Sequence, residues 1–155
     1  MLANRMISAL GYEPFARRPR EEISVGELVR KNVKGIPAAA PFQDVLRMIE
    51  RSRYNTFPVV GDDGGLVGLI RYGNLRHALF DPHLGQLVCA EDLAMPPFYL
   101  LFPDDSAAHA WSRFRLHQDD CLPVVTRESP HELIGVVRRR DLFRLISRTR
   151  ARSEE

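Results

Sequence analysis

The chain has 155 residues, with 22 Lys and Arg against 20 Asp and Glu and 45% apolar residues. That is an ordinary globular composition, and a net charge of +2 gives no case for bulk nucleic-acid binding, so no nucleic-acid partner is expected. No apolar run approaches the roughly 18 residues needed to cross a bilayer, and no signal peptide opens the chain, so a cytoplasmic placement is expected, alone or as a piece of a larger protein.

Residues 1–23 read as a short amphipathic helix, Leu2–Leu10, and a basic loop with Arg17, Arg18 and Arg20. Ser24-Val25-Gly26-Glu27 is a capping box that opens another short helix. An extended stretch at Gly35–Ala38 precedes an amphipathic helix over Pro41–Arg53, with Phe42, Val45, Leu46 and Ile49 on one face. Pro41 suits the first turn of that helix. Two short apolar strands follow, Phe57–Val60 and Leu66–Ile70, joined by the turn Asp62-Asp63-Gly64-Gly65, and then a helix over Asn74–Phe80.

The same order then recurs. Phe57-Pro58-Val59-Val60 matches Leu122-Pro123-Val124-Val125, 65 residues on. Phe42, Val45, Leu46 and Ile49 match Ala107, Ala110, Trp111 and Phe114. Beyond the turn the offset grows to 67: Gly68-Leu69-Ile70-Arg71 matches Gly135-Val136-Val137-Arg138, and Asn74-Leu75 matches Asp141-Leu142. The two added residues fall in the turn Arg127–His131, where insertions belong. The second copy therefore predicts an extended stretch at Tyr99–Leu101, a helix over Ser106–His117 capped by Asp105 or Ser106, strands at Leu122–Thr126 and Leu133–Val137, and a helix over Asp141–Arg148 with a charged tail. The fold class is α/β (α+β): two β-α-β-β-α repeats with pseudo-two-fold symmetry. Their expected boundaries are 24–81 and 93–149, with a linker at 82–92 and a tail at 150–155. Neither copy has enough core to stand alone, so they should pack face to face.

The repeated h-Pro-Val-Val strand, with the Gly-h-h-x-x-x-Asp turn into the final helix, resembles the cystathionine-β-synthase (CBS) domain, and two copies in register resemble a Bateman module. The linker from Leu79 to Leu93 is similar to the connection between the paired domains of prokaryotic chloride channel (CLC) family proteins, where the pair forms a cytoplasmic C-terminal tail. The resemblance implies a non-catalytic regulatory module next to a membrane transport domain, a homodimer formed through the CBS pair, and an adenine nucleotide (ATP, ADP or AMP) in the cleft between copies, with no cofactor required.

The residues support one nucleotide site per chain. Tyr54, before the first h-Pro-Val-Val strand, can stack on a purine, whereas its counterpart Asp119 would repel phosphates. Asp141, at a strand-to-helix turn, can accept bonds from two ribose hydroxyls, beside a helix N-terminus and Arg138, Arg139 and Arg140; it equally reads as an N-cap beside a solvated basic face. The family pattern implies stacking by Tyr54, ribose contact by Asp141, backbone contacts to the base from Val33 and Asn55, and a phosphate contact from Arg140; Pro58 and Arg138 complete the set. Arg71 and Arg138 stand where many nucleotide-binding CBS motifs carry Ser or Thr. The alternative function is a structural dimerisation module with no ligand, or a regulator of another effector.

Other constellations are weaker. Cys89 and Cys121 are far apart and read as free thiols. The five histidines lack paired ligand spacing, so no metal site is expected. Asp104-Asp105 and Asp119-Asp120 read as capping and loop acids, and Trp111 as core. No catalytic motif is present, so the chain is not read as an enzyme.

Overall fold

The structure is a computed structural model that describes residues 23–153 apart from Pro82 and Phe98. The predicted helix Leu2–Leu10 and the loop with Arg17, Arg18 and Arg20 lie outside the described residues. In chain order the elements are α1 (Val25–Leu28), β1 (Ile36–Pro37), α2 (Phe42–Glu50), β2 (Thr56–Val60), β3 (Leu66–Arg71), a 3-10 turn over Tyr72–Leu75 running into α3 (Arg76–Leu79), α4 (Leu84–Leu87), α5 (Ala90–Leu93), α6 (Ala107–Leu116), β4 (Cys121–Val125), β5 (Leu133–Arg138) and α7 (Arg139–Ser153).

The two halves repeat one another at the level of individual bonds. In the first, β1 runs parallel to β2 with Ile36 opposite Val59, and β2 runs antiparallel to β3 with Phe57 opposite Ile70. In the second, β4 and β5 pair with Leu122 opposite Val137, and the register shift between Val124 and Val125 repeats that between Val59 and Val60. The stretch predicted at Tyr99–Leu101 forms no strand; it contributes a single parallel bridge from Leu101 to Val124, at the position equivalent to Ile36 and Val59. Helix α2 buries Phe42, Val45 and Ile49, as the three-to-four spacing requires. It starts after Pro41, whose ψ of 152° is extended, and stops at Glu50 rather than Arg53. Ser52 there turns the chain by accepting the Tyr54 N–H on its hydroxyl at 3.1 Å. Ser106, not Asp105, caps α6 by accepting the His109 N–H; Asp105 accepts the Phe102 N–H instead. The last helix continues to Ser153, past the predicted end at Arg148.

One feature is invisible in the repeat pattern: the halves exchange their leading segments. Helix α1 opens the first copy but docks on the second. Val25 N–H donates to Asp105 O at 2.7 Å, and Arg30 and Val136 exchange both backbone bonds at 2.7 and 3.2 Å. Helix α5 opens the second copy and docks on the first. Ala90 N–H donates to Ala40 O at 2.9 Å, and Met95 and Leu69 exchange both bonds at 2.8 Å. Ile23 and Val25 are fully buried in a core with Leu101, Phe114, Leu122 and Leu142, and Ala90 is buried with Ile36, Val45, Val59 and Ile70. Each opening turn is closed by a carboxylate three residues on: Glu27 takes the Ser24 N–H and Asp92 the Cys89 N–H. Gly68 and Gly135 let the crossing backbones approach, since a Cβ at Gly135 would lie 2.2 Å from Arg30 O and one at Gly68 2.6 Å from Met95 O.

The pseudo-two-fold axis passes between β2 and β4. Cys121 Sγ contacts Thr56 O at 3.6 Å, and both cysteines are free thiols. Burial pushes the Cys121 thiol well above its ordinary range, and the nearby Asp120 and Asp119 charges push it further. At the far ends the two hairpin turns are tied together, Leu66 N–H to His131 O and Leu133 N–H to Gly64 O.

Candidate functional site

A cleft of about 1300 Å³ opens between the halves. The first half supplies the loop Asn32–Lys34, Ile36, Met48 and the run from Arg51 to Pro58; the second supplies Trp111, Asp120, Arg138–Arg140 and Phe143. Six cations (Lys34, Arg51, Arg53, Arg138, Arg139 and Arg140) line it against one carboxylate, Asp120. Tyr54, Phe57, Trp111 and Phe143 give it aromatic walls, with the Trp111 and Phe143 rings 6.5 Å apart. Such a pocket suits a ligand with a flat apolar part and an anionic tail.

The structure brings six of the predicted residues to this cleft: Val33, Tyr54, Asn55, Pro58, Arg138 and Arg140. Asp141 does not line it. Asp141 lies in the first turn of α7 and is not an N-cap, and it lines a neighbouring groove of about 480 Å³ between α1 and α7. Its carboxylate is held on two sides: Arg138 donates through Nε at 2.9 Å and Nη2 at 2.7 Å, and Arg30 through Nε at 3.1 Å and Nη2 at 3.4 Å. Arg138 is therefore not part of a solvated face. The expected backbone contact from Asn55 is also already used, because its N–H donates to Asp120 Oδ2 at 3.0 Å and its carbonyl accepts the Tyr72 N–H. What Asn55 offers the cleft is its side chain.

Asp119 and Asp120 lie in the loop between α6 and β4, as expected, but both are tied to the first half. Asp119 is 8% exposed and takes a two-pronged ion pair from Arg71, Nε to Oδ1 at 2.7 Å and Nη2 to Oδ2 at 3.1 Å. Asp120 joins the halves through Asn55, and its carbonyl accepts the Arg139 N–H at 2.8 Å. The Arg139 guanidinium donates to the carbonyls of Phe114 and His117. Trp111 packs against the second core and also lines the cleft, so the core reading describes only one of its faces. The sequence reading missed Lys34, Arg51, Arg53 and Phe143; their only signal was position next to residues already singled out.

The symmetry between the halves breaks at the strand-end arginines. Arg71 and Arg138 are equivalent, but Arg71 takes its carboxylate from Asp119 of the other half, while Arg138 takes Asp141 from the next helical turn. Asp119 occupies the position equivalent to Tyr54, so a buried ion pair fills the corner that in the other half holds an aromatic ring. Burial raises the Asp141 pKa, but the bonds and charges of Arg138 and Arg30 outweigh it and hold the carboxyl below the ordinary carboxylate range. Asp141 holds the Arg138 guanidinium in its charged form. A folded-state pKa below the unfolded one adds stability above about pH 4, and that contribution is lost as pH falls through the folded value. The melting-temperature gap between wild type and Asp141→Asn should accordingly be widest near neutrality and close below about pH 4; a gap independent of pH would contradict this.

Comparison with known proteins decides the family. The CBS domain family matches the chain twice, over residues 25–81 and 90–148. The chain belongs to the CBS domain family. The tandem pair is similar in fold to the CBS domain of a bacterial CNNM/CorC family Mg2+ transporter in complex with ATP (19% identity, TM-score 0.70, covering 95% of this chain and 98% of that one). It is also similar to CBSX2 in complex with AMP (23% identity, TM-score 0.67, 83% and 98%) and to the CBS domains of a transcriptional regulator from Streptococcus pneumoniae (22% identity, TM-score 0.67, 79% and 98%). A curated homoserine O-acetyltransferase from Methanococcoides burtonii is 26% identical over 79% of the chain, and the CBS pair spans 24% of that protein's length. No helix among the described residues is long and apolar enough to cross a membrane, and no group of His, Cys, Asp and Glu among them could hold a metal ion.

Proposed function

We propose that this CBS pair is a non-catalytic regulatory module that binds one adenine nucleotide in the cleft between its repeats. The observation that carries the reading is the contrast between the two corners: one is open, aromatic at Tyr54 and lined by six cations, and its equivalent is filled by the Arg71–Asp119 pair. Tyr54 stacks on the base, with Val33, Pro58 and the Asn55 side chain around it. Arg140, Arg138, Arg51 and Arg53 face the phosphates. Asp141 receives the ribose hydroxyls once Arg138 turns toward the phosphates, because both arginines now occupy its oxygens. ATP- and AMP-bound relatives of the same fold support an adenine nucleotide as the ligand class.

The attached effector is a membrane transport domain, and the chloride channel family is the one whose linker this chain resembles; the CBS pair then lies at the cytoplasmic face. Nucleotide binding would bias the packing of the repeats and pass that bias to the effector. Thermal shift with ATP, ADP, AMP and S-adenosylmethionine tests the reading, since a ligand bound only by the folded chain raises its melting temperature. The expected result is a rise of several degrees with at least one adenine nucleotide; no shift with any of them at millimolar concentration would leave the structural dimerisation role.

The partner is a second copy of the chain. Leu79 at the end of α3, Phe80 just after it, and Leu84 and Leu87 of the adjoining α4 are exposed, Phe80 at 86% and Leu87 at 80%, which is an apolar surface that a lone domain seldom leaves in water. Sedimentation should give a two-chain mass for wild type and a one-chain mass for Phe80→Glu; a monomeric wild type would remove the dimer.

A further inference from the structure

The Asp141 carboxylate links two cavities. Arg138 reaches it from the cleft side, and Arg30 reaches it from the outer groove. These four hydrogen bonds fill the roughly four acceptor positions of a carboxylate, so a ligand that takes Asp141 must displace one arginine. Arg138 lines the cleft, on the side from which a bound phosphate would compete with Asp141 for its guanidinium. Arg30 lines the outer groove and not the cleft, on the far side of the Asp141 carboxylate from a phosphate bound there.

This arrangement exists in one half only. The position equivalent to Arg30 is Met95, that of Asp141 is Asn74, and Arg71 is committed to Asp119. The asymmetry thus coincides with the open corner. Arg30 also ends the exchanged leading segment, which begins at the buried Ile23 and follows directly on residues 1–22.

We propose that Arg30 is a positioning residue for the nucleotide site and the mechanical link from that site to the leading segment, a proposal that rests on the nucleotide reading above. When a phosphate draws Arg138 away, Arg30 remains as the sole cationic partner of Asp141. It keeps the carboxylate aimed while two of its acceptor positions pass to the ribose. Asp141 is then shared with neutral hydroxyls rather than with a second cation, so its pairing with Arg30 strengthens and nucleotide binding tightens the docking of residues 23–30 on the second repeat. By linkage, a pull on that segment from the upstream side weakens nucleotide binding by the same factor.

The test is titration calorimetry with ATP and amide exchange of residues 24–30 on the full chain, for wild type, Arg30→Met and Arg30→Lys. Methionine is the residue of the equivalent position and keeps the apolar stem. The expected result is about a five- to tenfold weaker ATP affinity for Arg30→Met, an intermediate value for Arg30→Lys, and an ATP-induced slowing of exchange at 24–30 that wild type shows and Arg30→Met loses. Wild type that binds ATP without such slowing, or Arg30→Met that binds as wild type does, overturns the link while leaving the nucleotide site standing. Wild type that binds no ATP overturns both.

Discussion

Gly135→Ala should destabilise the protein by about 3 kcal/mol or more, lowering its melting temperature by about 6–12 °C in a chain of this size. The reason lies in the exchange of leading segments. A Cβ at Gly135 would sit 2.2 Å from Arg30 O and 2.8 Å from Arg30 C, both backbone atoms that cannot step aside without breaking the paired bonds to Val136. If the segment lifts off, Ile23 and Val25 leave a core in which they are fully buried. Gly68→Ala should repeat the effect in milder form, because its contact, 2.6 Å to Met95 O, is less severe. Gly73→Ala is the control, with nothing within 4 Å of the added carbon. Thermal denaturation of the three variants reads this directly. A Gly135→Ala protein that melts with wild type would mean that the leading segment does not cross β5 as described.

Tyr54→Ala should weaken nucleotide binding by about tenfold or more, since base stacking on an aromatic side chain is worth about 1–3 kcal/mol. Tyr54→Phe should bind nearly as wild type does, because the ring and not the hydroxyl meets the base. Tyr54 is half-buried at the edge of the first core, so its loss also costs some stability, and affinity must be measured well below the melting transition. Equal affinities for wild type and Tyr54→Ala would show that the base lies elsewhere in the cleft.

The duplication was legible because it is written in apolar positions, and apolar positions set the core. The spacing of Phe42, Val45, Leu46 and Ile49 and its echo at Ala107, Ala110, Trp111 and Phe114 predicts two buried helix faces; Leu46 and Trp111 are half-buried and the other six residues are buried. The exchange of α1 and α5 was not legible, because each short helix buries few side chains and the partner it docks on is chosen by backbone bonds that any residue can make; Gly68 and Gly135 were the only trace. In the candidate site, the aromatic and basic residues near the two Pro-Val-Val strands were found from their types. The pairing of Arg138 and Arg30 on Asp141 was not, because Arg30 lies 111 positions away in sequence. Asp119 was seen as the odd counterpart of Tyr54, but only the fold shows that Arg71 neutralises it.

The central claim is that one corner of the CBS pair is built for a nucleotide and its equivalent is closed by an ion pair. Titration calorimetry of wild type with ATP, at known chain concentration, tests it most directly. The predicted result is saturation at one nucleotide per chain; saturation at two per chain, or no heat of binding at millimolar ATP, would contradict it.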